Sequence, residues 1–198
     1  TGVGRYITRT QQIFKDIFNL GDEFQPDGRQ FDRLLDDGEV LKVGGLQIRV
    51  IHTPGHTPAC VTYLAGDAAF VGDTLFMPDF GTARVDFPGG DAATLYRSIQ
   101  RIFELPGQTR LFMCHDYKAP GREQYVWQTT VAEQRTANVH IREGVSEQEF
   151  IDFRTARDAA LGVPTLILPS IQVNIRAGQM PPAEDNGVVY LKLPVDAI

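Results

Sequence analysis

Histidine, aspartate and histidine recur in this chain just past the ends of apolar runs, at His56, Asp73 and His115. His56 follows "IRVI" and a Pro-Gly turn, Asp73 follows "AAFVG", and His115 follows "RLFMC". Where strands end together, loops gather such side chains at one edge of a sheet. Imidazole nitrogen and carboxylate oxygen together suit Zn(II) or Fe(II) and need no thiolate. The stretch "HTPGHTPAC" adds rigidity: Pro54 restricts the turn, and Gly55 permits a sharp change of direction that projects His56. His52 and His140 are read as structural, the first shaping that turn. Cys60 and Cys114 are read as small buried apolar residues, although Cys114 stands directly before His115.

The elements that must position these residues are legible in outline. "TRTQQIFKDIFNL" places Ile13, Phe14, Ile17 and Phe18 at helical spacing. "EVLKVGGLQIRVIHT" reads as a hairpin turning at Gly44-Gly45, and "ACVTYLAGDAAFVGDTLF" as a second turning at Gly66-Asp67. Asp91 is a good N-cap for a helix carrying Leu95, Ile99, Ile102 and Phe103 on one face, ended by "LPG". "TRLFMCHDY" is a short strand of buried type. Ser146 and Glu149 form a capping box opening a helix expected to run to Gly162, and "NGVVYLKLPV" is expected to be a final strand. The fold class expected is therefore α+β.

Bulk composition excludes several functions. The 198 residues carry a net charge of −6 and no long basic run, which argues against a nucleic-acid or anionic-membrane partner. No apolar stretch approaches membrane-span length. Two cysteines cannot make a disulfide scaffold, and a reducing cytoplasm is the expected location.

Taken in order, "TPGHTPACVTY", "FVGDTLF" and "FMCHDY" resemble the metallo-β-lactamase superfamily. "RVDFPGGDAATLYRSI", "HDYK", "EQRTAN" and "VNIRAG" resemble the branch of the persulfide dioxygenases (sulfur dioxygenases), and the region from "FNLGDEF" to "LKVGG" resembles the bacterial β-lactamase-like hydrolases. The resemblance implies an αββα sandwich and oxidation of glutathione persulfide by O₂ to sulfite and glutathione, at one Fe(II). His56 and Asp73 match two ligands of that iron. His115 matches the histidine that serves a second metal in dinuclear zinc relatives. Arg84 and Arg176 match candidates for a substrate carboxylate, Tyr117 stands where it can hydrogen-bond near the substrate sulfur, and Asp86 where it can orient Arg84 or a ligand histidine. The superfamily's HxHxDH motif is not in this sequence. Residues 1–198 are accordingly expected to be the C-terminal two-thirds of a single metallo-β-lactamase-like domain, N-terminally incomplete, impaired as it stands, with a homodimer left open. The competing readings are a zinc hydrolase of a thioester, lactone or lactam, whose bound water ionises near neutral pH, and a non-catalytic fragment.

Overall fold

The computed structural model describes residues 2–195. Its elements run β1 (Gly2–Gly4), α1 (Ile7–Ile17), β2 (Arg33–Leu35), β3 (Val40–Val43), β4 (Leu46–His52), β5 (Val61–Ala65), β6 (Ala68–Phe70), α2 (Ala92–Phe103), β7 (Arg110–Phe112), β8 (Gln128–Thr130), α3 (Val131–Ala137), α4 (Glu147–Ala159) and α5 (Ile167–Asn174). They fall into two compact units, residues 36–160 and residues 1–35 with 161–198.

The larger unit is one six-stranded sheet in the order β3-β4-β5-β6-β7-β8. Each pair is antiparallel except β6 with β7. A parallel pair cannot be closed by a tight turn, so the chain crosses over through α2. That helix starts as its sequence dictates: the Asp91 carboxylate accepts the Thr94 N–H at 2.7 Å. It buries Leu95, Ile99 and Ile102 against Val71, Leu75, Leu111 and Phe150 in the main core. The Ser146–Glu149 capping box is formed at α4, which stops at Ala159, three residues before Gly162. A second capping box, Thr130 with Glu133, opens α3.

The other unit has its own small core, where Phe14, Phe18, Leu20 and Phe24 meet Ile175. Its β1 and β2 form a parallel two-stranded ribbon. The tail corrects one expectation. Among the described residues "NGVVYLKLPV" makes only an isolated bridge, Val189 with Ala183. Apolar content without a partner edge does not make a strand, and Val188, Val189, Leu193 and Val195 remain exposed.

Between β6 and α2 the chain follows an irregular path whose backbone groups are satisfied by buried side chains. Gln134 donates to the Phe76 carbonyl at 2.8 Å and Asn138 to the Gly81 carbonyl at 3.2 Å. Arg154 donates to the Thr82 carbonyl at 3.2 Å, and Asp158 accepts the Val85 N–H at 2.9 Å. Arg154 and Asp158 pair with each other at 2.5 Å, their side chains 2% and 3% exposed. His140 Nδ1 accepts the Thr82 N–H at 3.0 Å. Its ring lies where any side chain on Gly81 would sit, since a Cβ there would come within 2.1 Å of Nδ1. His140 is thus structural, as its sequence context suggests.

Two expectations follow. Asp158→Ala strands a buried guanidinium, which costs about 3–5 kcal/mol, and the urea midpoint should fall accordingly; an unchanged midpoint would mean that Arg154 finds another partner. Burial, followed by the nearby Arg154 and Arg157 charges, lowers the His140 pKa from 6.5 to about 3. The folded state therefore refuses a proton that the unfolded chain accepts. The resulting stability is complete above pH 6.5 and is lost as pH falls toward 3, with a limiting slope of about 1.4 kcal/mol per pH unit. In an NMR titration the His140 ring should stay neutral down to acid unfolding.

Candidate metal centre

Register brings the first two candidates together. Phe70 of β6 pairs with Phe112 of β7 in a parallel ladder. Asp73 and His115 each lie three residues beyond that pair, so both chains carry their polar residue past the same edge. Asp73 sits in a single 3₁₀ turn, Gly72–Thr74. His115 Nε2 lies 3.3 Å from Asp73 Oδ1, with the two side chains 50% and 38% exposed. Cys114 joins them, its thiol donating to the same Oδ1 at 3.4 Å. The donor atoms of Asp73, Cys114 and His115 all lie within 4.8 Å of one another.

Cys114 is exposed rather than buried as its apolar flank suggested, because β7 has ended two residues earlier. Burial of its sulfur, then the Asp73 charge, pushes the thiol up to about 12. Cys60 is half-buried, its sulfur 3.1 Å from Thr57 Oγ1.

His56 stands outside that cluster of three. It reaches its position through the Pro54-Gly55 turn, which is fastened to α2: Ser98 donates to the Pro54 carbonyl at 2.6 Å, and Asp91 N–H to the Gly55 carbonyl at 2.9 Å. Gly55 has φ +141°, and a Cβ there would come within 2.4 Å of Leu95 Cα, so no larger residue fits. His56 Nδ1 lies 2.7 Å from the Arg84 carbonyl, and the ring meets Phe87 edge-on at 5.3 Å. A carbonyl can only accept, so Nδ1 carries a proton, and Nε2 is the ring nitrogen left to face a ligand.

The remaining candidates divide between the units. Arg84 grips Asp86 with two bonds of 2.6 and 2.5 Å and lies over the Phe87 ring at 4.8 Å. Of the two partners read for Asp86, Arg84 or a ligand histidine, the carboxylate contacts Arg84. Tyr117 is 56% exposed and packs on Phe80 and Phe76 beside His115, at ring separations of 5.0, 5.5 and 5.6 Å. Partial burial, then the Asp73 and Cys114 charges, raises its pKa, so its hydroxyl remains a donor at neutral pH. Arg176 belongs to the terminal unit, where it is buried over the Phe24 ring at 4.7 Å and donates to the Gln172 carbonyl at 3.1 Å.

Sequence reading passed over what holds the "HDY" segment. Asp116 accepts two bonds from Arg122, at 2.6 and 2.7 Å, and the Val126 N–H at 2.7 Å. Arg122 hydrogen bonding, chiefly, holds the Asp116 carboxyl well below the usual range. Arg122 also binds Asp79 at 2.6 Å. Nothing in "APGREQY" signals this, because the loop linking Asp116 to Arg122, six positions on, has no regular period and Asp79 comes from elsewhere in the chain.

Comparison with known proteins identifies the frame. The family model described as "Metallo-beta-lactamase superfamily" matches residues 3–115. The chain belongs to that superfamily. It is 59% identical to a protein named "Probable metallo-hydrolase" from Burkholderia pseudomallei, over 99% of this chain and 70% of that protein. It is 53% identical to "Glyoxylase B2" from Dictyostelium discoideum, over 99% of this chain and 67% of that protein. With "Persulfide dioxygenase ETHE1, mitochondrial" from Bos taurus it shares 35% identity over 79% of this chain and 58% of the relative. The crystal structure of ETHE1 from Myxococcus xanthus superposes with a TM-score of 0.66 at 35% identity, covering 75% of this chain and 61% of that one. The mixed α+β architecture is thus a metallo-β-lactamase fold.

The superfamily's fold implies a divalent metal, and the residues here fit one. Two ligands bound to one ion at about 2.1 Å stand roughly 3.0–3.4 Å apart in octahedral or tetrahedral geometry; the Nε2–Oδ1 spacing of 3.3 Å falls in that range. Asp73→Ala and His115→Ala should each weaken binding of zinc, read by competition with a chromophoric chelator, by more than the roughly 10–100-fold that loss of an outer partner costs. Undiminished affinity in both variants would remove this cluster as the metal centre.

Proposed function

We propose that this chain carries the catalytic core of an Fe(II)-dependent persulfide dioxygenase that converts glutathione persulfide, O₂ and water to sulfite and glutathione. The reading rests chiefly on one observation: Tyr117 packs beside His115, which faces Asp73, so the "HDY" motif resembling that branch meets the superfamily's "GDTLF" aspartate at one place. Iron, when bound, supplies the redox chemistry that O₂ activation needs and that zinc lacks.

The protein's own groups account for binding and proton placement. Asp73 and His56 are the ligands proposed for iron, with His115 beside them. Arg84 is held in one plane by Asp86. Its guanidinium is the group proposed to receive a glutathione carboxylate, a two-pronged geometry that lysine could not reproduce. Tyr117 remains protonated, and its hydroxyl is the group proposed to hydrogen-bond near the substrate sulfur. Both cysteines are free thiols, in keeping with a reducing, cytoplasmic setting. Among the described residues no helix is long and apolar enough to cross a membrane.

A zinc hydrolase acting on a glutathione thioester is the second reading. It is favoured by the higher identity to the proteins named metallo-hydrolase and glyoxylase. Oxygen uptake with glutathione persulfide, with sulfite measured in parallel on anaerobically Fe(II)-loaded protein, separates the two. Uptake matched by sulfite supports the dioxygenase; thioester cleavage after zinc loading, without uptake, replaces it by the hydrolase. If Arg84 receives the carboxylate, Arg84→Ala should raise KM for the persulfide about tenfold or more, the worth of one charge-assisted bond, with iron content unchanged. An unaltered KM removes Arg84 from the substrate site.

A further inference from the structure

Tyr117 is 56% exposed, so its ring depends on neighbours for a fixed place. We propose that Arg122 is a positioning residue: it clamps Asp79 to Asp116 and so holds the Tyr117 phenol where it meets the substrate. The inference rests on the proposed function only in giving Tyr117 a substrate to meet. It adds no ligand to the metal.

The local sequence brings Arg122 back to this place. Ala119, Pro120, Gly121 and Arg122 close a β-turn, with the Arg122 N–H donating to the Ala119 carbonyl at 2.9 Å and Gly121 at φ +88°. Proline followed by a glycine of positive φ is the pattern of a type II turn. Returned in this way, the guanidinium meets two carboxylates. Nε and Nη2 donate to Asp79 at 2.6 and 3.1 Å, and Nη1 and Nη2 to Asp116 at 2.6 and 2.7 Å. Nη1 also donates to the Gln124 carbonyl at 2.8 Å, so every N–H of the guanidinium is engaged. Asp116 is saturated as well. It accepts the Lys118 N–H at 3.1 Å and the Val126 N–H at 2.7 Å, and its side chain is only 7% exposed.

The clamp joins the two loops that carry the aromatic cluster. Phe76 and Phe80 belong to the segment after β6, and His115 and Tyr117 to the segment after β7. Asp79 directly precedes Phe80, and Asp116 stands between His115 and Tyr117. Tyr117 meets Phe76 edge-on at 5.5 Å and packs on Phe80 at 5.0 Å, so its ring contacts cross the seam that the guanidinium closes. Without Arg122 the two carboxylates are brought together with no cation between them, and like charges drive the loops apart. Lysine is no substitute, because a single ammonium cannot grip two carboxylates in their planes. Tyr117 then keeps its hydroxyl but loses its place. A misplacement of about 1 Å can cost about 100-fold in rate, while Asp73 and His115 stay where sheet register puts them.

A mutant cycle tests the clamp, with kcat and KM for glutathione persulfide and iron content measured on the Fe(II)-loaded protein. Nuclear Overhauser effects between the Tyr117 and Phe80 rings are read separately on the diamagnetic zinc-loaded protein. Arg122→Lys should lower kcat by about 10–100-fold, with iron content unchanged. It should also erase the Tyr117–Phe80 effects while those between Leu95 and Ile99 in the main core persist. In a Tyr117→Phe background the same change should alter kcat by less than about twofold, because the hydroxyl it positions is gone. Guanidinium ion added to Arg122→Ala should restore kcat only where Tyr117 is present. The ring contacts need no substrate. Absence of oxygen uptake in the native protein overturns the dioxygenase reading, whereas intact Tyr117–Phe80 contacts in Arg122→Lys overturn the clamp. Equal losses of kcat with and without the Tyr117 hydroxyl overturn it too, since Arg122 would then serve only the stability of the fold.

Discussion

Parallel pairing of β6 with β7 sets the register in which Phe70 faces Phe112, and that register delivers Asp73 and His115 to one place. The constraint is strict because side chains alternate along a strand. A slip of one residue would turn Leu111 out of the core and carry His115 past Asp73. What enforces the register is burial: Ala69 and Leu111, paired in the ladder, are completely inaccessible in the main core. The crossover that parallel pairing demands is also used chemically. Helix α2 covers the sheet and, through Ser98 and Leu95, clamps the turn that presents His56.

The second constraint is electrostatic. Residues 76–85 have no ladder of their own, so their carbonyls and N–H groups depend on Gln134, Asn138, His140, Arg154 and Asp158. A buried polar network of this kind is stabilising only when every member is satisfied. Its product is a rigid Thr82–Val85 segment, and the Arg84 carbonyl within that segment sets the tautomer of His56. Stability and site geometry are thereby coupled without contact between the ion pair and any ligand. The coupling also explains the "EQRTAN" run, whose Gln134 and Asn138 are scaffold for the loop rather than parts of the site.

Helices and hairpins were legible in the sequence because local rules govern them. Asp91, Ser146 and the Gly44-Gly45 and Gly66-Asp67 turns stand where expected. The strands β1, β2 and β8 were not legible, because Gly-Val-Gly, Arg-Leu-Leu and Gln-Thr-Thr stand in no longer apolar run such as those that announce β6 and β7. "NGVVYLKLPV" misled because alternation reports a suitable surface, not the presence of an edge to pair with. In the site, Asp73 and His115 could be read from their places after apolar runs. Cys114 could not, because whether it follows the strand or turns off it depends on where β7 loses its partner.

That last point bears on which metal such a frame holds. The fold fixes the positions of Asp73 and His115 through sheet register, but the third donor is set by loops. One loop offers His56, whose Nδ1 faces the Arg84 carbonyl and whose Nε2 is the nitrogen left for a ligand; the other brings the Cys114 sulfur beside Asp73 through a single bend. Nitrogen and oxygen ligands leave the choice between iron and zinc nearly open, whereas sulfur tilts it toward the borderline ions. A change confined to one of these loops would alter the donor set at the edge while the core, the register and the buried network stay intact.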